Sequence, residues 1–119
     1  MTRAEFRTRT FQFGIRSIRL AESLPQTIVA QIIAKQLIRA ATSVGANYRA
    51  AIRSRSRADF VAKMGIVEEE CDEAVYWIEV RVELELLSEK RTSALQHEAN
   101  EILAVTISSI KTARKGKEM

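Results

Sequence analysis

The chain has 119 residues, of which 46% are hydrophobic and 29% charged, with one proline, four glycines, one cysteine and a formal net charge of +4. That length is one ordinary domain, enough to bury roughly two-thirds of the unfolded chain's surface, and the scarcity of glycine and proline argues against disorder and against a turn-rich all-β fold. The lone Cys71 excludes an internal disulfide, and no apolar stretch approaches the roughly 20 residues of a membrane span.

A first helix is predicted over about 3–23, with Phe6, Phe11, Ile15, Ile18 and Leu20 as its apolar face. Leu24 and Pro25 end it. Proline is tolerated in a first turn, so a second helix is predicted over 26–53, turning Ile28, Val29, Ile32, Ile33, Leu37, Ala40, Val44, Tyr48 and Ala51 inward. Ser56 and Asp59 have capping-box spacing ahead of the run Phe60, Met64, Val67, Cys71, Ala74, Ile78, Val82, which gives a third helix over 57–88. The segment SEKRTS breaks the pattern. Ser93 and Gln96 are the next capping-box candidates, and Leu95, Ala99, Ile102, Thr106 and Ile110 outline a fourth helix over 94–114. Short connections force neighbouring helices to run antiparallel, so residues 1–119 are expected to form a single all-α domain, an up-down-up-down four-helix bundle. The arginine-rich start, MTRAEFRTRTFQFGIRSIRL, lacks the continuous apolar core of a signal peptide. A cytoplasmic protein is therefore expected, with an organellar presequence as the alternative.

Gly14, Gly45 and Gly65 fall inside predicted helices, where each costs on the order of 1 kcal/mol relative to alanine. Gly45 lies in the small-residue run from Ala40 to Ala46, and the expected compensation there is the close approach of another helix. Ser43 and Asn47, four residues apart, are expected to hydrogen-bond within or between helices.

The residues Gln36-Leu37, Arg39-Ala40-Ala41-Thr42-Ser43-Val44 and Ala46-Asn47, followed by Ser56, Asp59 and Phe60, resemble a four-helix-bundle family. Its founding members are encoded in intervening sequences of bacterial 23S ribosomal RNA genes. The resemblance covers nearly the whole chain. Two departures suggest a sub-branch: Tyr48-Arg49-Ala50-Ala51 stands where many members look like Ile-Ala-Glu-Gly, and Glu68-Glu69-Glu70 is an unusual acidic run. The resemblance implies a small bundle that assembles into rings. A similar fold occurs in the accessory protein of diversity-generating retroelements, where a basic pentamer engages nucleic acid and a reverse transcriptase. It implies no enzymatic activity, no cofactor and no defined set of functional residues.

The third helix carries two apolar stripes, the capped run above and a second through Ile66, Trp77, Val80, Leu84 and Leu87. One bundle core absorbs one such face. The second is expected either to bury against another copy of the chain, with Glu73 within it pairing with arginines of the neighbour, or to be covered by the chain's own first helix or C-terminal segment.

Positive charge gathers in three places: Arg49, Arg53, Arg55 and Arg57 flank one turn, five arginines lie from Arg3 to Arg19, and Lys111, Arg114, Lys115 and Lys117 approach the C-terminus. In an antiparallel bundle all three lie at one end, so repetition around a ring would present a basic surface to RNA or DNA phosphates. Solvation and the helix macrodipole account for such arginines equally well.

Chemistry finds little support. Glu68, Glu69, Glu70, Asp72 and Glu73 spread around most of a turn, and His97 has no Glu three residues before it, so salt bridges to second-helix arginines suit the acids better than a metal site. Cys71 sits on the main apolar stripe as a small hydrophobe, and no phosphate-cradling glycine loop exists. Tyr76 and Trp77 suit burial better than base stacking. The reading is a non-enzymatic, self-assembling scaffold or adaptor with a basic end for nucleic acid, without cofactor, small-molecule substrate or membrane. The alternative is a purely protein-binding or structural module.

Overall fold

Four helices follow one another with short connections in the computed structural model: α1 (Arg3–Glu22), α2 (Ile28–Ala51), α3 (Arg57–Glu83) and α4 (Glu89–Arg114). The structure describes residues 1–116, with Arg91 by its backbone alone. Side-chain caps begin three of the helices. Thr2, Thr27 and Ser56 each accept from the backbone N–H three residues on, at Glu5, Ala30 and Asp59, which satisfies a donor the helix cannot satisfy itself.

The helices differ from the sequence-based boundaries for local reasons. Thr27 caps α2, so that helix starts two residues beyond the expected position, and Ile28, Val29 and Ile32 land on its outer side with more than half of their surface exposed. They are not core residues. α3 stops at Glu83 because Glu85 adopts a left-handed φ of 56°, which a helix cannot continue through. α4 begins at Glu89, inside the segment read as a break. Ser93 is therefore an interior helical residue whose hydroxyl donates to the Lys90 carbonyl, while Thr92 is buried one turn into the helix.

Packing runs α1 on α2, α2 on α3, α3 on α4 and α4 back on α1, and among the described residues no diagonal pair of helices brings Cα atoms within 8 Å. Gly14 faces Ala41 and Thr42 while Gly45 faces Thr10 and Phe11, so α1 and α2 run antiparallel. Met1 and Phe6 lie beside Val105 and Thr112, which makes α1 and α4 antiparallel as well. The molecule is a 47 Å long column in whose core Phe6, Phe13, Leu37, Tyr48, Met64, Ile78 and Ile102 are fully buried. Phe6 and Tyr48 meet edge to face at 4.8 Å between ring centroids, a favoured aromatic geometry. On α1 the buried face is Phe6, Thr10, Phe13, Gly14, Ser17 and Ala21. Phe11 is not part of it: the Gly14–Gly45 approach turns Phe13 inward and leaves Phe11 55% exposed. No helix among the described residues is long and apolar enough to cross a membrane.

Candidate assembly face and nucleic-acid interface

At Gly45 the backbones of α1 and α2 come close together. A Cβ built there would stand 3.2 Å from the Thr10 carbonyl oxygen, so the position accepts hydrogen and little else. Ser43 donates to the Arg39 carbonyl at 2.7 Å and the Asn47 amide donates to the Ser43 carbonyl at 2.8 Å. Both side chains thus satisfy themselves on their own helix, leaving Gly45 alone of the three at the helix crossing. Beside the crossing a shallow cavity of about 210 Å³ opens to the surface, lined by Phe11, Ile15, Thr42, Ala46 and Arg49.

The second stripe of α3 is divided. Trp77, Val80 and Leu87 are half-buried against a satellite cluster of Ala21, Leu24, Ala30, Ile33 and Ala34, where the α1–α2 turn folds over them. Trp77 also touches the main core, and its indole Nε1–H is enclosed without an acceptor. Ile66 and Leu84 remain exposed. Glu73 turns toward its own chain: Arg39 of α2 donates to Glu73 and, at 3.2 Å, to Glu70, an arrangement that raises the Arg39 pKa. Glu69, Asp72, Tyr76, Glu79 and Glu83 form an exposed outer row on the same helix.

Arg9 joins α1 to α4. Its guanidinium grips Glu98 through two bonds, Nε to Oε2 at 2.8 Å and Nη2 to Oε1 at 2.6 Å, and also donates to Glu101. The hydrogen bonds from Arg9 hold the Glu98 carboxyl below the usual carboxylate range against the opposing effect of partial burial. His97 reaches Glu101 at 3.3 Å, which places the one histidine in a surface ion pair.

One end of the bundle gathers cations. Arg57 Nη2 donates to the Gly116 carbonyl at 3.4 Å, and the Arg3 guanidinium lies 5.0 Å from the centre of the Phe60 ring, a cation–π contact. These contacts tie the start of α1, the α2–α3 turn and the end of α4 together. Arg53, Arg55, Arg114 and Lys115 are exposed around them, with Arg49 and Lys111 exposed about a turn further in. Among the described residues none of these six, nor Arg57, joins an ion pair. Lys117 lies outside the described residues.

Two buried groups bear on chemistry. The Cys71 thiol donates to the Ala99 carbonyl at 3.4 Å, and burial pushes its pKa up to about 12, so no reactive thiolate forms near neutrality. Arg81 is fully buried, with its Nη1 donating to the Leu87 carbonyl at 3.3 Å and its Nε and Nη2 without hydrogen-bond partners among the described residues. Desolvation lowers its pKa. The sequence carried a signal for this: Arg81 continues the three-and-four spacing of the buried face from Phe60 through Ile78, whereas Val82, expected there, is only half-buried.

Such a four-helix bundle, free of any assembled catalytic constellation among its described residues, defines an α-helical class rather than a job. The model of the 23S rRNA-intervening sequence protein family matches residues 3–108, and the chain belongs to that family. It is similar to a crystal structure at 1.70 Å of a Bacteroides thetaiotaomicron VPI-5482 protein of the S23 ribosomal protein family, whose function is unknown. The two share 31% identity and superpose with a TM-score of 0.86 over 94% of this chain and all of the other. No curated protein matches.

Proposed function

We propose that the protein is a non-enzymatic, cytoplasmic scaffold that assembles with itself, in a five-membered ring if it follows the likeness to the retroelement accessory protein, and contacts RNA or DNA through its basic end. The observation that carries the nucleic-acid reading is the convergence of three chain segments: Arg3, Arg57 and the Gly116 carbonyl lie together, with Arg53, Arg55, Arg114 and Lys115 exposed around them and outside every ion pair among the described residues. Cations at the rim of each copy would add in a ring and release counterions from a phosphate backbone. This predicts binding to generic RNA and DNA that weakens steeply with salt. Arg53→Ala with Arg55→Ala should lower affinity for all sequences alike and reduce the slope of log K against log salt by roughly 2, about 0.9 for each duplex phosphate that is no longer neutralised. Fluorescence anisotropy across a salt series measures both, and an absence of binding at low salt would refute the reading.

A second reading is a purely protein-binding or structural module. The exposed Phe11 beside the 210 Å³ cavity favours it, because a large aromatic in an apolar recess is the form of a docking point. Loss of partner binding on Phe11→Ser, with nucleic-acid binding absent throughout, would select this reading.

A further inference from the structure

The outermost residues of α2 and α3 are two continuous exposed stripes of opposite charge. On α2 the stripe runs from Ile28 to Arg53 in alternating steps of four and three and includes Ile32, Lys35, Arg39, Ala46 and Arg49. α2 contains no acidic residue from end to end. On α3 the stripe runs from Ala58 to Glu83 in the same steps, small at first through Ala62 and a half-buried Gly65, and then acidic through Glu69, Asp72 and Glu79, with Tyr76 55% exposed among them. α3 holds eight acidic residues against three basic ones. Steps of three and four keep each stripe on one side of its helix, which is the pattern of a helix that packs on another, yet no other helix covers either among the described residues.

We propose that the basic outer stripe of α2 docks on the acidic outer stripe of α3 from a second copy of the chain. This rests on the self-assembly reading and specifies its faces. Each copy offers both surfaces, so the contact is head-to-tail, and its repetition gives a ring where the rotation from copy to copy closes and an open filament where it does not. Copies pointing the same way set α2 antiparallel to the next α3, and the register follows from the molecule itself. Within one chain Arg39 lies level with Glu70 and Glu73. At that height Arg39 meets the neighbour's Asp72, Lys35 comes beside Tyr76 and within a turn of Glu79, and Ala46 meets Gly65. A Cβ on Gly65 would have no neighbour within 4 Å, so the glycine leaves an open track where the two backbones approach. Charge complementarity selects this pairing over α2 on α2 or α3 on α3, where like charges would face each other.

Two kinds of variant test the docking without touching the core. Gly65→Trp fills the open track, and Lys35→Glu and Glu79→Lys invert one charge on each stripe at exposed positions outside every ion pair among the described residues. Light scattering and native mass spectrometry over a dilution series report assembly, and circular dichroism reports the helices. Gly65→Trp should keep its helical signal and lose assembly. Each charge inversion should raise the concentration of half-assembly about tenfold, and the two together should return it to within about threefold of the unaltered chain. An unaltered chain that assembles while Gly65→Trp assembles equally well, or a double inversion no better than the product of the singles, overturns this docking and leaves self-assembly standing. An unaltered chain that stays monomeric at every concentration overturns self-assembly itself, and this docking with it.

Discussion

Gly45 and Gly65 stand at interior positions of α2 and α3, and only their surroundings tell them apart. A methyl group at Gly45 would press on the Thr10 carbonyl at 3.2 Å, backbone that cannot swing aside, whereas at Gly65 it would enter open space. Gly45→Ala should therefore cost about 1 kcal/mol net, overpacking outweighing the better helix propensity of alanine, and Gly65→Ala should gain up to about 1 kcal/mol. Urea denaturation of both variants checks the opposite signs. The crowding at Gly45 was legible from the small residues around it, while nothing in the neighbourhood of Gly65 announced an outward position. Cys71 gives a second residue-scale expectation. With its thiol enclosed on the core stripe and its pKa up near 12, it should resist a thiol reagent at neutral pH and react only as the bundle unfolds, so labelling and loss of helical signal should coincide across denaturant.

α1 and α4 close the ring of helices, and Arg9 is the clasp between them. Glu98 has a folded pKa below its ordinary 4.5, so the stability it brings is fully present above that value and is lost as pH falls through the folded pKa. Glu98→Gln should cost about 1 kcal/mol at pH 7 and progressively less as pH falls through the folded pKa of Glu98, a convergence that thermal melts over an acid pH series would show. Element existence and order were readable because period and caps agreed at Ser56 and along the apolar run from Phe60. Three details were not. The helical wheel of α1 placed Phe11 and Phe13 on competing faces and only the α2 crossing decides between them. Thr27 outranked Pro25 as a helix start because its side chain supplies a cap. The SEKRTS segment looked like a loop by composition, yet Thr92 is a buried helical residue whose hydroxyl bonds the Ser88 carbonyl, a role that polar residue type conceals.

At the scale of the molecule, antiparallel parity alone predicts that the start of α1 and the end of α4 share an end with the α2–α3 turn, and the Arg3–Phe60 and Arg57–Gly116 contacts place them there. Charge at that end could be counted from the chain, but the two outer stripes could not be weighed against the core until it was known which side of each helix faced in. The half-covered Trp77 shows why: a stripe read as one surface is split between the α1–α2 turn and the outside. The opposite end carries Arg81, a buried guanidinium with one hydrogen bond among the described residues, to the Leu87 carbonyl, the Glu89 carboxylate as its opposing charge, and the left-handed Glu85 just beyond it. Withdrawing such a charge from water costs several kcal/mol, and the left-handed residue adds strain of its own. Prising apart the α3–α4 corner refunds both, because the guanidinium regains its hydration and the backbone relaxes. The two extremities of the column are thus unequal: the cationic one is stitched from three directions, whereas the other is expected to open first, which earlier hydrogen exchange of the α3–α4 corner would show.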